Sequence, residues 1–481
     1  MRPTQHFLSH IVLHGIILLI LGVLPWGCAS VEPGEETSGK VRSVESPDGA
    51  KITLFFHLKD TNIPDLLLSI PEIEVLQGAA WLPLITDVLN INTREIGQQQ
   101  ILVARRSLPK GSYQKIRIAF DDASLMEKGK QLPLGITKKH SEFILPSPIS
   151  LGQGDSETLF MTLDVKSSLG VKGSLDPVIY FRSSETNPLS EDLAYVTCPD
   201  INTIYLIRTD RNWVSGSIGV TGRPKNVFID PDEKKLYVLA SDEALIKVFD
   251  ITTSQQIYSI RIPLTVNPNS MDISPDFQWG YVLDGRGDYL VKLDLKSGQL
   301  ASRVRIGENP QYIYYVSQME ILAVTSKFSQ FVQLVNAGSL ATFATIPLGS
   351  SLQGLLYKDN LLFIAESAAN SVTIYDMKSN EIVKRINVGS SPRRLERHGE
   401  YIFVTNYDGA SVSVFLSDQL SASNEVMTGN KPLEMAVSSK RNRLYVGDEQ
   451  PGGITVIDLT SIRKVNYIEL GSRVEDIAVV Q

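Results

Sequence analysis

The sequence predicts an all-β protein, in which an N-terminal β-sandwich is followed by a seven-bladed β-propeller with one-plus-three strand closure. Three observations support this prediction. Short β-rich strands recur seven times at steps of about 41 residues across residues 194–481. Apolar and polar residues alternate through the preceding region, without helical periodicity. One apolar strand is left over at the C-terminal end, where closure of a propeller requires it.

The chain begins with a pattern typical of a signal peptide, predicted to span residues 1–27. The run Ile11–Leu24 is almost wholly apolar but short for a membrane span, and it is followed by Pro25, Trp26, Gly27 and Cys28. The Gly-Cys pair resembles the bacterial lipoprotein signal, although Pro25 and Trp26 depart from it. The resemblance implies that Cys28 is lipidated. The alternative is an ordinary secretory signal with an incidental cysteine.

The composition is that of a globular chain with an acidic balance. Hydrophobic residues make up 43% and charged residues 21%, and the formal net charge is −7. Cys28 and Cys198 are the only cysteines, so no intrachain disulfide is predicted once Cys28 is acylated. The negative charge argues against a dedicated nucleic-acid binder.

A solvated tether is predicted over residues 28–47 and the β-sandwich over residues 48–182. Within the sandwich, Ile52, Leu54, Phe56 and Leu58 share one face, as do Leu159, Met161, Leu163 and Val165. The order of its elements resembles DUF4382, a domain of unknown function in bacterial lipoproteins, with a matching signature at Leu108–Ile118. Residues 183–193 are predicted to link the two domains.

Each repeat unit contains a β-rich strand, a second strand about ten residues later, a third strand and a corner of the Gly-x-x-Pro type. Such a unit is typical of one propeller blade. In blade four, Leu322 begins the first strand and Asn336 replaces the aspartate that ends the second. The seven first strands are Tyr195–Thr197, Tyr237–Leu239, Tyr281–Leu283, Leu322–Val324, Phe363–Ala365, Phe403–Thr405 and Tyr445–Gly447.

The first repeat has no strand before Ala194–Thr197, and Val474–Val480 is left over after the last corner. Pairing these two strands would close the ring and remove two sheet edges. The pattern G-x-x-P, LYVTN, VSVID, I-x-V-G resembles the YVTN-type propellers, which include the YncE-like periplasmic proteins. The closest unit is Gly389–Phe415. This family resemblance implies a propeller but no single activity, because propellers serve many functions.

No catalytic or metal-binding motif stands out, so no catalytic residue, metal ligand or cofactor is predicted. His57, His140 and His398 are each isolated in sequence. Cys198 takes the place that Asn406 holds in its own repeat and is predicted to be structural. The segment Asp284–Asp288 contains Arg-Gly-Asp, which is interpreted as a turn; integrin recognition and Ca²⁺ binding are the alternatives.

Loop charges suggest a binding site. In a propeller, the corners and the turns after the first strands open on one face, and six basic residues on the corners form a candidate anion-binding mouth of the central channel. Reversing Arg393 and Arg394 to Glu is expected to weaken a salt-sensitive interaction without lowering thermal stability. The six are Arg223, Lys225, Arg393, Arg394, Lys431 and Arg473.

The sequence therefore predicts a lipoprotein of the bacterial cell envelope, facing the periplasm or the cell surface. Its lipid would contact the membrane, and its propeller would be a non-catalytic platform for an envelope protein or a small anionic ligand. The alternative is a propeller enzyme, similar to a lactonase or a quinoprotein, with a metal or cofactor in the channel. The residues expected to line the inner strands are Asn226, Asp272, Gln311, Gln353, Arg394, Glu434 and Glu475.

Overall fold

A computed structural model describes residues 49–171, 173–183, 192–418 and 422–480 of the chain. These residues all fall in one compact unit. Within the described ranges, we find no helix whose length and apolar character would allow it to cross a membrane. The predicted signal peptide, Cys28 and the tether lie outside the described residues.

The N-terminal domain consists almost entirely of short strands. Its elements are β1 (Lys51–Leu58), β2 (Leu66–Ile70), β3 (Glu72–Gln77), β4 (Ala80–Pro83), β5 (Leu89–Asn92), α1 (Thr93–Ile96), β6 (Ile101–Ser107), β7 (Gly111–Ala119), β8 (Ala123–Glu127), β9 (Lys130–Pro133), β10 (Gly135–Ile136), β11 (His140–Leu151), β12 (Ser156–Leu163), α2 (Val165–Ser168), β13 (Ser174–Leu175) and β14 (Ile179–Ser183). They form three four-stranded sheets, ordered β14-β12-β1-β6, β11-β7-β3-β4 and β5-β2-β8-β9, and the small sheet β10-β13.

All three larger sheets contribute to one apolar core, which includes the predicted face Ile52, Leu54, Phe56 and Leu58. Strand β1 lies between β12, with which it is parallel, and β6. Every residue of β1 is buried. Because successive side chains of a strand point to opposite faces, its odd-numbered residues must be covered by something other than this core. The covering element is the propeller, described below.

The second region contains seven four-stranded antiparallel sheets, which confirms the predicted blade number. Counted from the channel outward, blade 1 is ordered β42-β15-β16-β17, and blades 2 to 7 each take four consecutive strands, β18–β21 through β38–β41. Two short 3-10 turns lie at Pro199–Ile201 and Ser367–Ala369. The strands are β15 (Leu193–Cys198), β16 (Thr203–Arg208), β17 (Trp213–Gly219), β18 (Pro224–Asp230), β19 (Lys235–Ala240), β20 (Leu245–Asp250), β21 (Gln256–Arg261), β22 (Pro268–Ile273), β23 (Trp279–Asp284), β24 (Tyr289–Asp294), β25 (Leu300–Arg305), β26 (Pro310–Val316), β27 (Ile321–Ser326), β28 (Phe331–Asn336), β29 (Thr342–Pro347), β30 (Leu352–Lys358), β31 (Leu361–Glu366), β32 (Ser371–Asp376), β33 (Glu381–Asn387), β34 (Pro392–His398), β35 (Tyr401–Asn406), β36 (Ser411–Leu416), β37 (Ala422–Met427), β38 (Asn430–Ser438), β39 (Arg443–Gln450), β40 (Gly453–Asp458), β41 (Arg463–Glu469) and β42 (Asp476–Val479).

The ring closes as predicted. Strand β42, near the C-terminus, is the innermost strand of blade 1 and pairs with β15, with Val196 opposite Ile477. Val474 and Ile477 are buried in the core shared by blades 1 and 7. The first sheet therefore combines both ends of the propeller sequence, and no innermost strand is missing.

The recurring Tyr-Val-Thr motif links neighbouring blades. Its tyrosines reach the turn of a following blade, as in the bond from Tyr281 Oη to Ala337 O (3.1 Å). Its threonines bond to the carbonyl of a residue near the start of the next inner strand, at the channel. These bonds run from Thr197 Oγ1 to Lys225 O (2.7 Å), from Thr325 Oγ1 to Gln353 O (3.0 Å) and from Thr405 Oγ1 to Leu433 O (2.9 Å). The motif is thus a structural device of the ring.

Blade four requires a correction of register. Strand β27 begins at Ile321, so that Ala323, its third residue, takes the place that Tyr195 holds in β15, and Thr325 aligns with Thr197. The prediction aligned Leu322 with the motif tyrosine, one residue before Ala323, and such a shift exchanges the two faces of a strand. Asn336 fulfils the role of the aspartate it replaces, since its Oδ1 accepts from Ser339 N (2.8 Å), as Asp294 Oδ1 accepts from Ser297 N (2.8 Å).

The N-terminal domain packs on blades 1 and 7 through the second face of its β14-β12-β1-β6 sheet, a contact that we call the junction. Phe55, Leu102 and Phe160 join the apolar core of those blades. Lys51 Nζ donates to Ile201 O (2.9 Å), and the side-chain amide of Gln100 bonds to both backbone groups of Val214 on the outer strand β17. The junction therefore covers the odd-numbered face of β1 and the outer edge of blade 1.

Candidate functional site

The channel opening is formed by one residue from each blade. In the innermost strands of blades 2 to 7 the pairing with the next strand shifts just after the corner residue, which indicates a β-bulge at this point; the corner residues are Pro224, Pro268, Pro310, Leu352, Pro392 and Pro432. Bulges re-aim side chains and are common next to binding sites. The residues that follow the corner position form what we call the mouth ring: Lys225, Asn269, Gln311, Gln353, Arg393, Leu433 and Glu475.

A cavity of about 200 Å³ lies at this ring. All seven mouth-ring residues line it, together with Arg394, Tyr407, Glu449 and Arg473. The lining is polar apart from Leu433, and its charged groups are four cations and two carboxylates. A positive excess in a half-enclosed site favours anions, since the surrounding protein screens charge less than water does.

Four of the six predicted corner residues line this cavity, namely Lys225, Arg393, Arg394 and Arg473. The other two lie outside the lining. Arg223 Nη2 is 3.4 Å from Asp200 Oδ1, and Lys431 Nζ lies 5.5 Å from the ring centre of Tyr407. Binding of an anion by these residues stays a prediction, and the structure gives only their placement.

The predicted set of channel-lining residues occupies three different positions of the inner strands. Gln311, Gln353 and Glu475 stand in the mouth ring. Asn226, Arg394 and Glu434 come one residue later in their strands, and Asp272 comes three residues later. The bulges explain the mismatch, because an extra residue in each strand changes which side chains face the channel.

Arg394 belongs to the floor of the cavity. Its Nε donates to Glu434 Oε2 (2.9 Å), and its guanidinium carbon lies 4.2 Å from the ring centre of Tyr312. Burial acts to lower the pKa of Arg394, but Glu434 and Tyr312 outweigh it and leave the pKa above its ordinary value. This cation is therefore already paired inside the protein.

Carboxylates lie deeper in the channel and bond to neighbouring blades. Asp476 Oδ2 accepts from Val227 N (2.9 Å), and Asp272 Oδ2 accepts from Tyr315 N (2.7 Å). Burial raises the pKa of Asp272 to about 6, and burial together with Glu434 raises the pKa of Asp476 to about 7. Among the described residues, no three His, Cys, Asp or Glu side chains are grouped as metal ligands.

Two cations of the mouth ring lack a carboxylate partner. Within the described ranges, the Lys225 ammonium makes no hydrogen bond and no ion pair, while Arg393 bonds only to the neutral Gln353 Oε1, from Nη1 (3.3 Å). Burial lowers the pKa of Lys225, which Glu475 offsets in part. Burial, followed by the neighbouring Arg394, lowers the pKa of Arg393. Both cations would gain from an anion in the cavity.

Buried guanidinium nitrogens show the same deficit. Arg393 Nε and Arg473 Nε are both buried, and neither has a hydrogen-bond partner among the described residues. Leaving a buried donor unsatisfied costs about 1–3 kcal/mol. Arg473 differs from Arg393 because two carboxylates lie near it. Its Nη2 is 3.2 Å from Glu475 Oε2 and 3.6 Å from Asp200 Oδ1. The sequence identified both arginines but could not distinguish their pairing.

A larger cleft of about 780 Å³ lies between the 150–157 segment of the N-terminal domain and the outer strands of blades 1 and 2. Several of its polar groups bond to one another. Lys247 Nζ donates to Thr221 Oγ1 (2.7 Å) and is 2.8 Å from Glu243 Oε2, and Ser217 Oγ donates to Ser156 O (2.8 Å). The mouth ring is the better candidate despite its smaller volume, because its cations are not satisfied.

The other singled-out residues have structural surroundings. Cys198 is fully buried at the end of β15, as Asn406 is at the end of β35, and burial raises the pKa of its thiol to about 12. His57 lies in the junction, with its ring centre 4.8 Å from that of Trp213. In the Arg-Gly-Asp turn, Asp288 Oδ1 accepts from Asn309 N (2.8 Å), so its carboxylate holds the next corner.

The chain is similar to several solved structures. A functionally unknown protein from Desulfotomaculum acetoxidans DSM 771 is similar with a TM-score of 0.53 and 15% identity, over 60% of this chain and 98% of that one. Hydrazine synthase of Kuenenia stuttgartiensis is similar with a TM-score of 0.49 and 16% identity, over 56% and 93%. The dihydro-heme d1 dehydrogenase NirN, in complex with DHE, gives a TM-score of 0.48 and 13% identity, over 62% and 76%.

No curated protein sequence matches the chain. Among families, the profile of the YNCE-like beta-propeller matches residues 190–480, which is more than half of the chain and includes all seven blades. The match agrees with the blade count, the closure by β42 and the Tyr-Val-Thr bonds between blades. The chain therefore belongs to the YNCE-like β-propeller family.

Proposed function

We propose that the protein is a lipid-anchored binding protein of the bacterial cell envelope, whose propeller binds a small anionic ligand at the mouth ring without catalysing a reaction. The observation that supports the ligand class best is the pair Lys225 and Arg393. Two cations that line one cavity and lack an acidic partner among the described residues are the arrangement expected of an anion site waiting for its ligand.

The channel interior supports a binding role better than the alternative, a propeller enzyme with a metal or cofactor. Asp272 and Asp476 each use a carboxylate oxygen to accept a backbone N–H from the next blade. Their positions are accounted for by the stability of the ring. Nucleic acid fits the proposal poorly, because the net charge of −7 would repel a phosphate backbone.

The lipid anchor rests on the Gly27-Cys28 pair after the apolar run. A single acyl chain gives marginal membrane binding, whereas the several chains of a bacterial lipoprotein would hold the protein firmly. Cys28→Ala should abolish labelling with a radioactive or clickable fatty acid and either release the protein or leave it unprocessed. Labelling that persists in this variant would contradict the anchor.

Anion binding can be tested by isothermal titration calorimetry with phosphate, sulfate, acetate and succinate at low and high ionic strength. At least one of these anions should bind, and its affinity should fall with salt and in Lys225→Met and Arg393→Met. Arg286→Gln is a matched control, because Arg286 is exposed on a turn of the same face and does not line the cavity. Binding of none of the four would contradict the proposed function.

The double reversal of Arg393 and Arg394 is not a clean test. Arg394 is paired with Glu434 and packed on Tyr312, so a glutamate in its place would bring two carboxylates together in the cavity floor. The expectation that this double variant keeps its thermal stability is therefore withdrawn for Arg394, and Arg393 is tested alone or with Lys225.

A further inference from the structure

The orientation of Arg393 is fixed on several sides. Its guanidinium carbon lies 4.5 Å from the ring centre of Tyr407, whose hydroxyl bonds to Glu449 Oε2. Its Nη1 donates to Gln353 Oε1 at 3.3 Å. One face and one Nη are thus occupied by two neutral groups, the Tyr407 ring and the Gln353 amide. The remaining N–H groups form a planar edge, and such an edge matches the two oxygens of a carboxylate.

Lys225 is placed away from Arg393 along the ring. Lys225 belongs to blade 2 and Arg393 to blade 6, so that three blades separate them on one side and two on the other. The amides of Asn269, Gln311 and Gln353 fill the longer arc. Because the two cations stand on blades that are not neighbours, each can take an anionic group of its own. A ligand with two separated anionic groups can pair with both.

The volume of the cavity agrees with a ligand of more than one group. A single water needs about 10–15 Å³ of such space, and the mouth ring encloses about 200 Å³. Ligand sites for drug-sized molecules begin at about 300 Å³. The cavity is therefore larger than a lone inorganic ion requires and smaller than a nucleotide-sized ligand requires.

We propose, building on the proposed function, that the ligand is a small dicarboxylate, with one carboxylate on the free edge of Arg393 and the other at Lys225. The amide arc supplies hydrogen bonds to the part of the ligand between them. Arg393 gives the planar, bidentate contact and Lys225 a point charge, so the two ends of the site are chemically different.

The experiment compares succinate, acetate and phosphate by isothermal titration calorimetry on the full-length protein and its variants. Succinate should bind at least tenfold more tightly than acetate. Arg393→Lys keeps the charge but loses the bidentate edge, and it should weaken succinate about tenfold, as should Lys225→Met, each bringing succinate toward the affinity of acetate. Arg286→Gln should leave all affinities unchanged, and melting temperatures verify that the variants are folded.

The possible outcomes separate the two proposals. If phosphate binds more tightly than succinate, or succinate binds no better than acetate, the dicarboxylate assignment is wrong while the anion site stands. If Lys225→Met leaves succinate unaffected but Arg393→Lys weakens it, the bridging geometry is wrong. If no anion binds, the proposed function itself fails. Only a succinate preference that both variants remove supports the inference.

Discussion

The junction and the mouth ring both contain cations that are withdrawn from water, but these cations differ in their hydrogen-bond partners. In the junction, Lys51 and Arg105 are 1% and 3% exposed, and both bond to backbone carbonyls of the propeller, as in the contact from Arg105 Nη1 to Gly471 O (3.2 Å). In the mouth ring, the Lys225 ammonium has no such bond within the described ranges. Cations that bond to carbonyls of the other domain hold two domains together, whereas cations without a carbonyl or carboxylate partner mark a place for a ligand.

The largest effect should come from removing the strand that both regions share. Deleting Val474–Gln481 removes β42, exposes the edge of β15 and takes Val474 and Ile477 out of the core behind the junction. Burial of each such side chain is worth about 1.5–3 kcal/mol, against a net stability of about 5–15 kcal/mol for a domain. We expect aggregation or a strongly lowered melting temperature, measured by calorimetry and light scattering.

The control for the loss of eight residues is a deletion of eight residues between positions 31 and 47, within the predicted tether. It should leave the melting temperature almost unchanged. A C-terminally truncated protein that stays monomeric with an unaltered melting temperature would mean that closure by β42 contributes little to stability.

Arg105→Met tests the junction cation directly. The guanidinium bonds to Leu470 O, to Gly471 O and to Tyr205 Oη (2.9 Å), so its removal leaves buried acceptors unpaired. The expected loss is about 1–3 kcal/mol of unfolding free energy, measured by urea denaturation. Arg106→Met on the neighbouring position, where the side chain bonds to Leu84 O outside the junction, is the matched control. If the two substitutions lower the unfolding free energy equally, the bonds of Arg105 across the junction contribute no more to stability than the bond of Arg106 within its own domain.

At the mouth ring, Lys225→Met should lower anion affinity without lowering stability. It removes a half-buried charge without a partner, so the unfolding free energy should stay within about 0.5 kcal/mol or rise slightly, while anion affinity falls. The same change of one unit of charge thus destabilises the protein at the junction and leaves it intact at the mouth. A loss of stability as large as that of Arg105→Met would erase the distinction between the two regions.

Sequence reasoning succeeded where the pattern repeats and failed where it is interrupted. Seven recurrences fixed the blade number and the closing strand. The junction was not predicted, because the even-numbered apolar residues of β1 already accounted for the alternation of apolar and polar side chains in this strand. Phe55 in β1 and Phe160 in β12 point to the other face of the sheet, and they indicated a second apolar contact. The bulges were not predicted, so the expected channel residues fall at three different positions of their strands, and four residues of the mouth ring were not among them: Lys225, Asn269, Arg393 and Leu433.

The pairing of Arg394 with Glu434 could have been found from the sequence. Both residues stand at the same position of successive repeats, two after Pro392 and Pro432, and their blades are neighbours in the ring. Aligning the repeats would have placed opposite charges side by side and separated Arg394 from the free cations. The partnerless state of Lys225 could not be found in this way, because it depends on how far flexible side chains of several corners reach.

The smallest predicted effect concerns Asp476, whose carboxylate stabilises the ring by accepting from Val227 N and yet pays for its burial. Burial and Glu434 raise the pKa of Asp476 to about 7 from the ordinary value of 3.8. The folded state therefore binds more protons than the unfolded state between these two values, so this group's contribution to stability falls as pH rises from about 4 to 7.

In blade 2 the equivalent position holds Asn226, whose Oδ1 accepts from Met271 N (2.9 Å), which shows that an amide can make the same bond. Asp476→Asn should then keep the bond, flatten the decline in unfolding free energy between pH 5 and 8, and be more stable than the wild type at pH 8 by an amount of the order of 1 kcal/mol. Urea denaturation at several pH values measures this, with Asp458→Asn as the control, because hydrogen bonds from Ser461 lower the pKa of that turn aspartate and its titration lies below the tested range. If Asp476→Asn leaves the slope between pH 5 and 8 unchanged, the carboxylate is ionised in the folded channel and the field of the mouth ring, not burial, governs its charge.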